Sequence, residues 1–262
     1  MTAPQAPFGR HDHDSLQYHF RCGDLIGAAR LFRTPTLDHA SAWIWTGAAL
    51  NRLHDGGGSL RQAPGDRLAV EDGGLRIAQT GAQVTIEVGG RLTLSLMPQT
   101  EYRWGDTIST VIHQPDMACR AAFDGRSMEG IGYCKRYAWT PAPHHWGYRF
   151  VQGWTDDSVA LWTAEANFGT AKYDYFRLLE PDGRLHEGGP EASLHRNDRV
   201  RCDLPGGPAL VSLSELAVWE APLVSAGMDS LLRQRVCRLT IEQGDSRRTG
   251  LAINETCYGT LG

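Results

Sequence analysis

Moving a proton to carbon, or to a leaving oxygen, needs a group that is protonated near neutral pH and a base within reach. The second half of this chain carries candidates for both. Asp174 stands between Tyr173 and Tyr175 and before Phe176. A carboxyl walled in by aromatic rings loses the hydration of its charged form, so its pKa climbs from the usual value of about 4. His144 and His145 are the natural base or relay, because an imidazole titrates close to working pH. Glu165, inside the apolar run Trp162-Thr163-Ala164-Glu165-Ala166, is a second acid in apolar company. Tyr133, Trp146, Tyr148, Trp162, Tyr173 and Tyr175 supply rings that can wall an apolar ligand and stabilise a developing carbocation. Arg136 could hold a substrate carboxylate or phenolate, or close an ion pair with the acidic turn Asp156-Asp157. Plainer roles compete for the same residues: Asp174 as a surface ion-pair member, Glu165 paired with Lys172 or Arg149, and the two histidines in a loop before a strand.

Strand parity limits which of these groups can meet, because successive side chains take opposite faces. His144 and Trp146 share one face. Asp174 shares a face with Lys172 and Phe176, and Tyr173 and Tyr175 take the other. Without a bulge, either Asp174 or the tyrosine pair faces the ligand.

The elements that must position these residues read as strands. From Leu68 apolar and polar residues alternate: Leu68 and Val70, Leu75 and Ile77, Val84, Ile86 and Val88, then Leu92, Leu94 and Leu96. The breaks at Glu71-Asp72-Gly73-Gly74 and Gly89-Gly90 have the composition of tight hairpin turns, so this stretch is a β-meander. A second aromatic-rich set of strands begins near Ala138, with a turn at Pro181-Asp182-Gly183, and strands over 209–219, 231–242 and 251–257 close the chain. Residues 1–37 lack periodicity and read as an arm or an irregular first strand, in which His11 and His13 belong to a solvated tail. The glycines at 130 and 132 fit tight strand curvature. No helix of more than two or three turns is expected. The reading is an all-β protein of two β-domains, 1–125 and 126–262, with the seam near 120–130.

The 262 residues suffice for two such domains without staples. Net charge is -4, so no electrostatic footprint for a nucleic-acid backbone exists. No run of about 18 apolar residues and no apolar leader is present, which excludes stable membrane insertion by helices and points to the cytoplasm. The six cysteines are scattered without a Cys-x-x-Cys pair and read as small buried hydrophobes, with Cys134 the first suspect for reactivity. No metal or dinucleotide spacing appears, and no nucleophile elbow, so no cofactor is expected.

The block Gly130-Ile131-Gly132-Tyr133-Cys134-Lys135-Arg136-Tyr137, followed by His144-His145-Trp146-Gly147-Tyr148-Arg149-Phe150 and Gly153-Trp154-Thr155-Asp156-Asp157, resembles the central signature of the hydroxyneurosporene synthase family. That family comprises carotenoid 1,2-hydratases and AttH-like proteins. The resemblance covers residues 125–180 and implies two lipocalin-like antiparallel β-barrels packed together. It also implies that a His-x-Trp element, matched by His144-His145-Trp146, and a later Tyr/Asp strand, matched by Tyr173-Asp174-Tyr175, hold the acid that protonates an alkene. The functional expectation is a cofactor-independent lyase or isomerase of the hydratase/dehydratase type. Its substrate would be a lipophilic terpenoid, polyketide or aromatic molecule held in a barrel or inter-barrel cavity. A pericyclase or cyclase that folds its substrate, and a carrier of lipophilic ligands, are the alternatives.

Overall fold

The computed structural model of the chain describes residues 11–57, 60–62, 68–72, 74–105, 109–168, 171–188, 194, 197–204, 206–225 and 227–261. Strands dominate it, and no helix occurs among the described residues. Among these residues no helix is therefore long and apolar enough to cross a membrane. The chain divides into two compact units, Met1–Ala142 and Pro143–Gly262.

The first unit holds β1 (His13–Cys22), β2 (Leu25–Arg33), β3 (Asp38–Trp45), β4 (Leu50–Gly57), β5 (Arg61–Gln62), β6 (Leu68–Asp72), β7 (Leu75–Thr80), β8 (Gln83–Val88), β9 (Leu92–Pro98), β10 (Tyr102–Gly105), β11 (Ser109–Phe123) and β12 (Arg126–Trp139). They form one antiparallel sheet in the order β4-β3-β2-β1-β12-β11-β9-β8-β7-β6-β5, with β10 beside β11. The second unit holds β13 (His145–Thr155), β14 (Ala160–Phe168), β15 (Ala171–Leu179), β16 (Leu185–Gly188), β17 (Arg199–Leu204), β18 (Gly207–Ser225), β19 (Met228–Gln243) and β20 (Ser246–Leu261). Its sheet runs β16-β15-β14-β13-β20-β19-β18-β17. The two sheets curl into a half-barrel and a near-barrel.

The meander appears where alternation places it, as β6 to β9, and Gly89 and Gly90 both take positive φ at the β8–β9 hairpin. The Pro181-Asp182-Gly183 turn falls between β15 and β16, with Gly183 at φ 86°. Two expectations need correction. The division falls between Ala142 and Pro143, not between residues 125 and 126. The turn residues around 125 belong to a tight hairpin: Asp124 and Gly125 sit at φ 46° and 81°, and β12 folds back along β11 and then pairs with β1. Residues 13–33 are not an arm. They form β1 and β2 in the middle of the first sheet, buried on both faces, and a strand buried on both sides shows no apolar/polar alternation to read.

Leu16, Tyr18, Phe20 and Cys22 of β1 join Leu31, Ile44, Ile77, Ile86, Leu94, Leu96 and Met117 in the core of the first unit. Val151, Leu161, Phe176, Leu178, Val211, Leu239 and Ile241 form that of the second. Gly130 serves close approach rather than curvature: a Cβ there would collide with the Arg21 carbonyl and with Cys22. All six cysteines are buried free thiols.

Candidate active site

On β1 the residues that point away from the apolar core are His13, Ser15, Gln17 and His19, alternating with Asp14, Leu16, Tyr18 and Phe20. Antiparallel register then builds rows of side chains across the sheet on that polar face. One row runs His113 (β11), Lys135 (β12), Gln17 (β1), Arg30 (β2) and Ser41 (β3). The row on one side holds Tyr133, His19, Ala28 and Trp43. The row on the other holds Val111, Tyr137, Ser15, Phe32 and His39. A polar, basic row thus lies between two aromatic ones, and His19, His113, Lys135 and Arg30 are at most 2% exposed.

His113 sits at the chemical centre of this face. Its Nδ1 hydrogen-bonds the Tyr133 hydroxyl, and its Nε2 lies 3.3 Å from the Tyr137 hydroxyl. A neutral imidazole has one N–H and one bare nitrogen, so one tyrosine donates to it while the other accepts from it. That is a route along which a proton can pass from one phenol to the other through the ring. His19 stacks on Tyr133 with centroids 6.0 Å apart, and Trp139 stacks on Tyr137 at 6.0 Å. Arg30 lies over the Phe32 ring, 4.5 Å from its centroid, and its Nε is 3.4 Å from the Ser15 hydroxyl. His13 packs edge-on to Phe32 and Trp139, and burial, reinforced by the nearby Arg30 charge, pulls its pKa from 6.5 down to about 3. It is a neutral core histidine. His11, at the edge of the same face, lies 3.2 Å from the Thr140 hydroxyl, so neither residue belongs to a solvated tail. No group of three or more metal-ligating side chains converges among the described residues.

The second unit has a corresponding aromatic face. Trp146, Tyr148, Phe150, Gln152 and Trp154 alternate along β13 with residues on the side of the apolar core, and all five are buried. Across the sheet, one row runs Gln234, Glu255, Phe150, Ala164 and Tyr175, and the next places Gln152 beside Trp162. Glu255 is fully buried and accepts a hydrogen bond from the Gln234 amide. The Trp146 indole lies over Gly259, where any Cβ would strike the ring.

The residues read from the sequence divide between these faces. Tyr133 lies on the histidine face, and Trp146, Tyr148, Trp162 and Tyr175 lie on the aromatic face. Tyr173 is in register with Ala166, and its side chain lies outside the described residues. The histidines and carboxyls lie elsewhere. His144 and His145 are exposed where the chain enters β13. Asp174 is exposed and Glu165 half-buried, opposite each other on β15 and β14, on the face away from Trp146 and Tyr148. Asp174 thus lies on the exposed face, opposite the aromatic face that carries Tyr175. Arg136 pairs with Asp14 rather than with the 156–157 turn. It makes a fully buried two-pronged ion pair with Asp14, at 2.6 and 2.9 Å, on the core side of the first sheet. Cys134 is buried beside it. Sequence reading passed over His113, His19, Tyr137 and Glu255. The one available signal was a histidine inside the apolar run Val111-Ile112-His113, level with the alternating Tyr133, Lys135, Tyr137 and Trp139.

No protein-family model matches the chain, and no curated protein does either. Solved structures do. A candidate AttH from Nitrosomonas europaea aligns over 97% of this chain and 96% of its own, with TM-score 0.55 at 13% identity. Kievitone hydratase from Nectria haematococca aligns over 97% and 90%, with TM-score 0.60 at 10% identity. Identities this low carry the architecture alone, so what this chain has in common with the AttH-like and hydratase structures is their fold of two curled antiparallel sheets.

Proposed function

We infer that the chain is a cofactor-independent acid/base catalyst of the hydratase/dehydratase type, acting on a lipophilic small molecule. The observation that carries this reading is the Tyr133–His113–Tyr137 chain, a buried imidazole hydrogen-bonded on both nitrogens to tyrosine hydroxyls within an aromatic face. Its chemistry closes on itself. One phenol gives a proton to the alkene carbon, water adds to the resulting cation, and the proton that water sheds returns through His113 to the donor. Dehydration runs the same steps in reverse. Aromatic rings such as Trp139 and Trp43 suit the cationic stage. The fold shared with a kievitone hydratase supports the reaction type.

The test is turnover of a panel of alkenes and allylic or benzylic alcohols by the intact chain and by His113→Gln, Tyr133→Phe and Tyr137→Phe. Loss of a proton-transfer group should cost about two to four decades of rate. Asp174→Asn, His144→Gln and His145→Gln should keep full rate. Full activity in His113→Gln protein shown to be folded overturns the relay. A ligand recovered unchanged, with no member of the panel turned over, leaves a carrier instead.

A further inference from the structure

The core side of the second sheet ends in a polar cleft. Along β13, Arg149 precedes Val151 on the same face; along β19, Arg233 and Arg235 precede Cys237; along β20, Asn254, Thr256 and Tyr258 follow Ala252. Register puts Arg149, Thr256 and Arg233 in one row, and Asn254 and Arg235 in the next. These residues surround a cavity of about 390 Å³, with Leu231 adding an apolar patch beside the Tyr258 ring.

Among the described residues the cavity wall contains three guanidinium groups, a hydroxyl, a phenol and an amide, and no carboxylate. The acids that serve these arginines flank that wall: Asp198 binds Arg235 at 2.6 and 3.0 Å and accepts from the Asn254 amide at 3.4 Å, Glu215 lies 3.6 Å from Arg235, and Glu220 lies 3.2 Å from Arg233. Both arginines are therefore held in place by carboxylates of residues outside the wall. Arg149 donates from its Nε to the Tyr258 hydroxyl at 3.1 Å, with Glu165 opposite it in register on the neighbouring strand. Positive groups that converge on one space repel unless an anion sits between them, and a guanidinium fork matches carboxylate and phosphate oxygens.

We propose that this cleft binds a small organic anion, a carboxylate or phosphate monoester. Its charged group is held between Arg149 and Arg233 over Thr256, and its apolar body lies against Leu231 and Tyr258. The volume suits a single-ring molecule. The site is separate from the tyrosine–histidine chain, and its test needs no turnover.

Phenyl phosphate is titrated into the intact chain by calorimetry, with phenol as the uncharged control. Phenyl phosphate should bind one to one and at least about tenfold more tightly than phenol, and should weaken as salt screens the charges. Arg149→Gln and Arg233→Gln should each weaken it about tenfold, as expected for loss of a charge-assisted hydrogen bond. Thr256→Val should weaken it less. Arg238→Gln, exposed on the other face of β19, should leave it unchanged. Circular dichroism confirms that each variant is folded. Equal binding of phenol and phenyl phosphate overturns the proposal, as does unchanged affinity in both Arg149→Gln and Arg233→Gln.

Discussion

His13 makes the stability of this protein depend on pH in a way that can be worked out in advance. In the folded chain burial and Arg30 hold its pKa at about 3, against 6.5 for an ordinary histidine. Between those values the unfolded chain binds a proton that the folded chain refuses. Protons then favour unfolding, so this contribution to stability is fully present above pH 6.5 and is lost as the pH falls toward 3. Each unit of difference is worth about 1.4 kcal/mol, so the whole interval amounts to about 5 kcal/mol at most, with about 2 kcal/mol gone at pH 5. His13→Gln removes the titration while leaving the edge-on site between Phe32 and Trp139 filled by a neutral side chain. Urea unfolding of both proteins at about pH 7.5 and pH 5 isolates the effect, since every other titrating group is common to the two. The native protein should lose about 2 kcal/mol more than the variant over that interval. Parallel losses would show that His13 protonates in the folded state as it does in the unfolded one, and the burial argument would fail.

Two further perturbations address the scaffold. Arg136→Met should cost about 3 to 5 kcal/mol, because it leaves the Asp14 carboxylate buried at 0% exposure without its partner; replacing Asp14 by Leu in the same chain should recover most of that loss in urea unfolding. Gly259→Ala should destabilise by about 1 to 3 kcal/mol and shift the near-ultraviolet circular dichroism of the tryptophans, since the new methyl group must displace the Trp146 indole. An unchanged spectrum and unfolding midpoint would mean that Trp146 does not rest on Gly259.

Several features of this protein follow from local sequence alone. Period-two alternation and the Gly89-Gly90 pair specify β8 and β9, because each of those strands has one wet and one dry face and the turn between them takes positive φ. The closing strands were legible for the same reason, though β18, β19 and β20 extend beyond 209–219, 231–242 and 251–257 at both ends. The glycine-rich block at 130–137 carried the resemblance to a two-barrel family, and the fold agrees with it. Parity likewise put Asp174 and the tyrosines on opposite faces.

Tertiary structure decided the rest. β1 and β2 are buried on both faces, so the contrast between wet and dry that periodicity depends on is missing from their sequence. Asp124-Gly125 reads equally well as a linker or as a hairpin turn, and only the pairing of β12 with β1 and β11 distinguishes them. Asp14 and Arg136 are 122 residues apart, as are no neighbours a local reading can connect. His113 and Tyr133 are 20 apart and meet because β11 and β12 pair in one register. Alternation tells which side chains share a face within one strand. Which strands lie side by side, and at what offset, is set by long-range pairing, and the rows that make the candidate site exist only once that pairing is known.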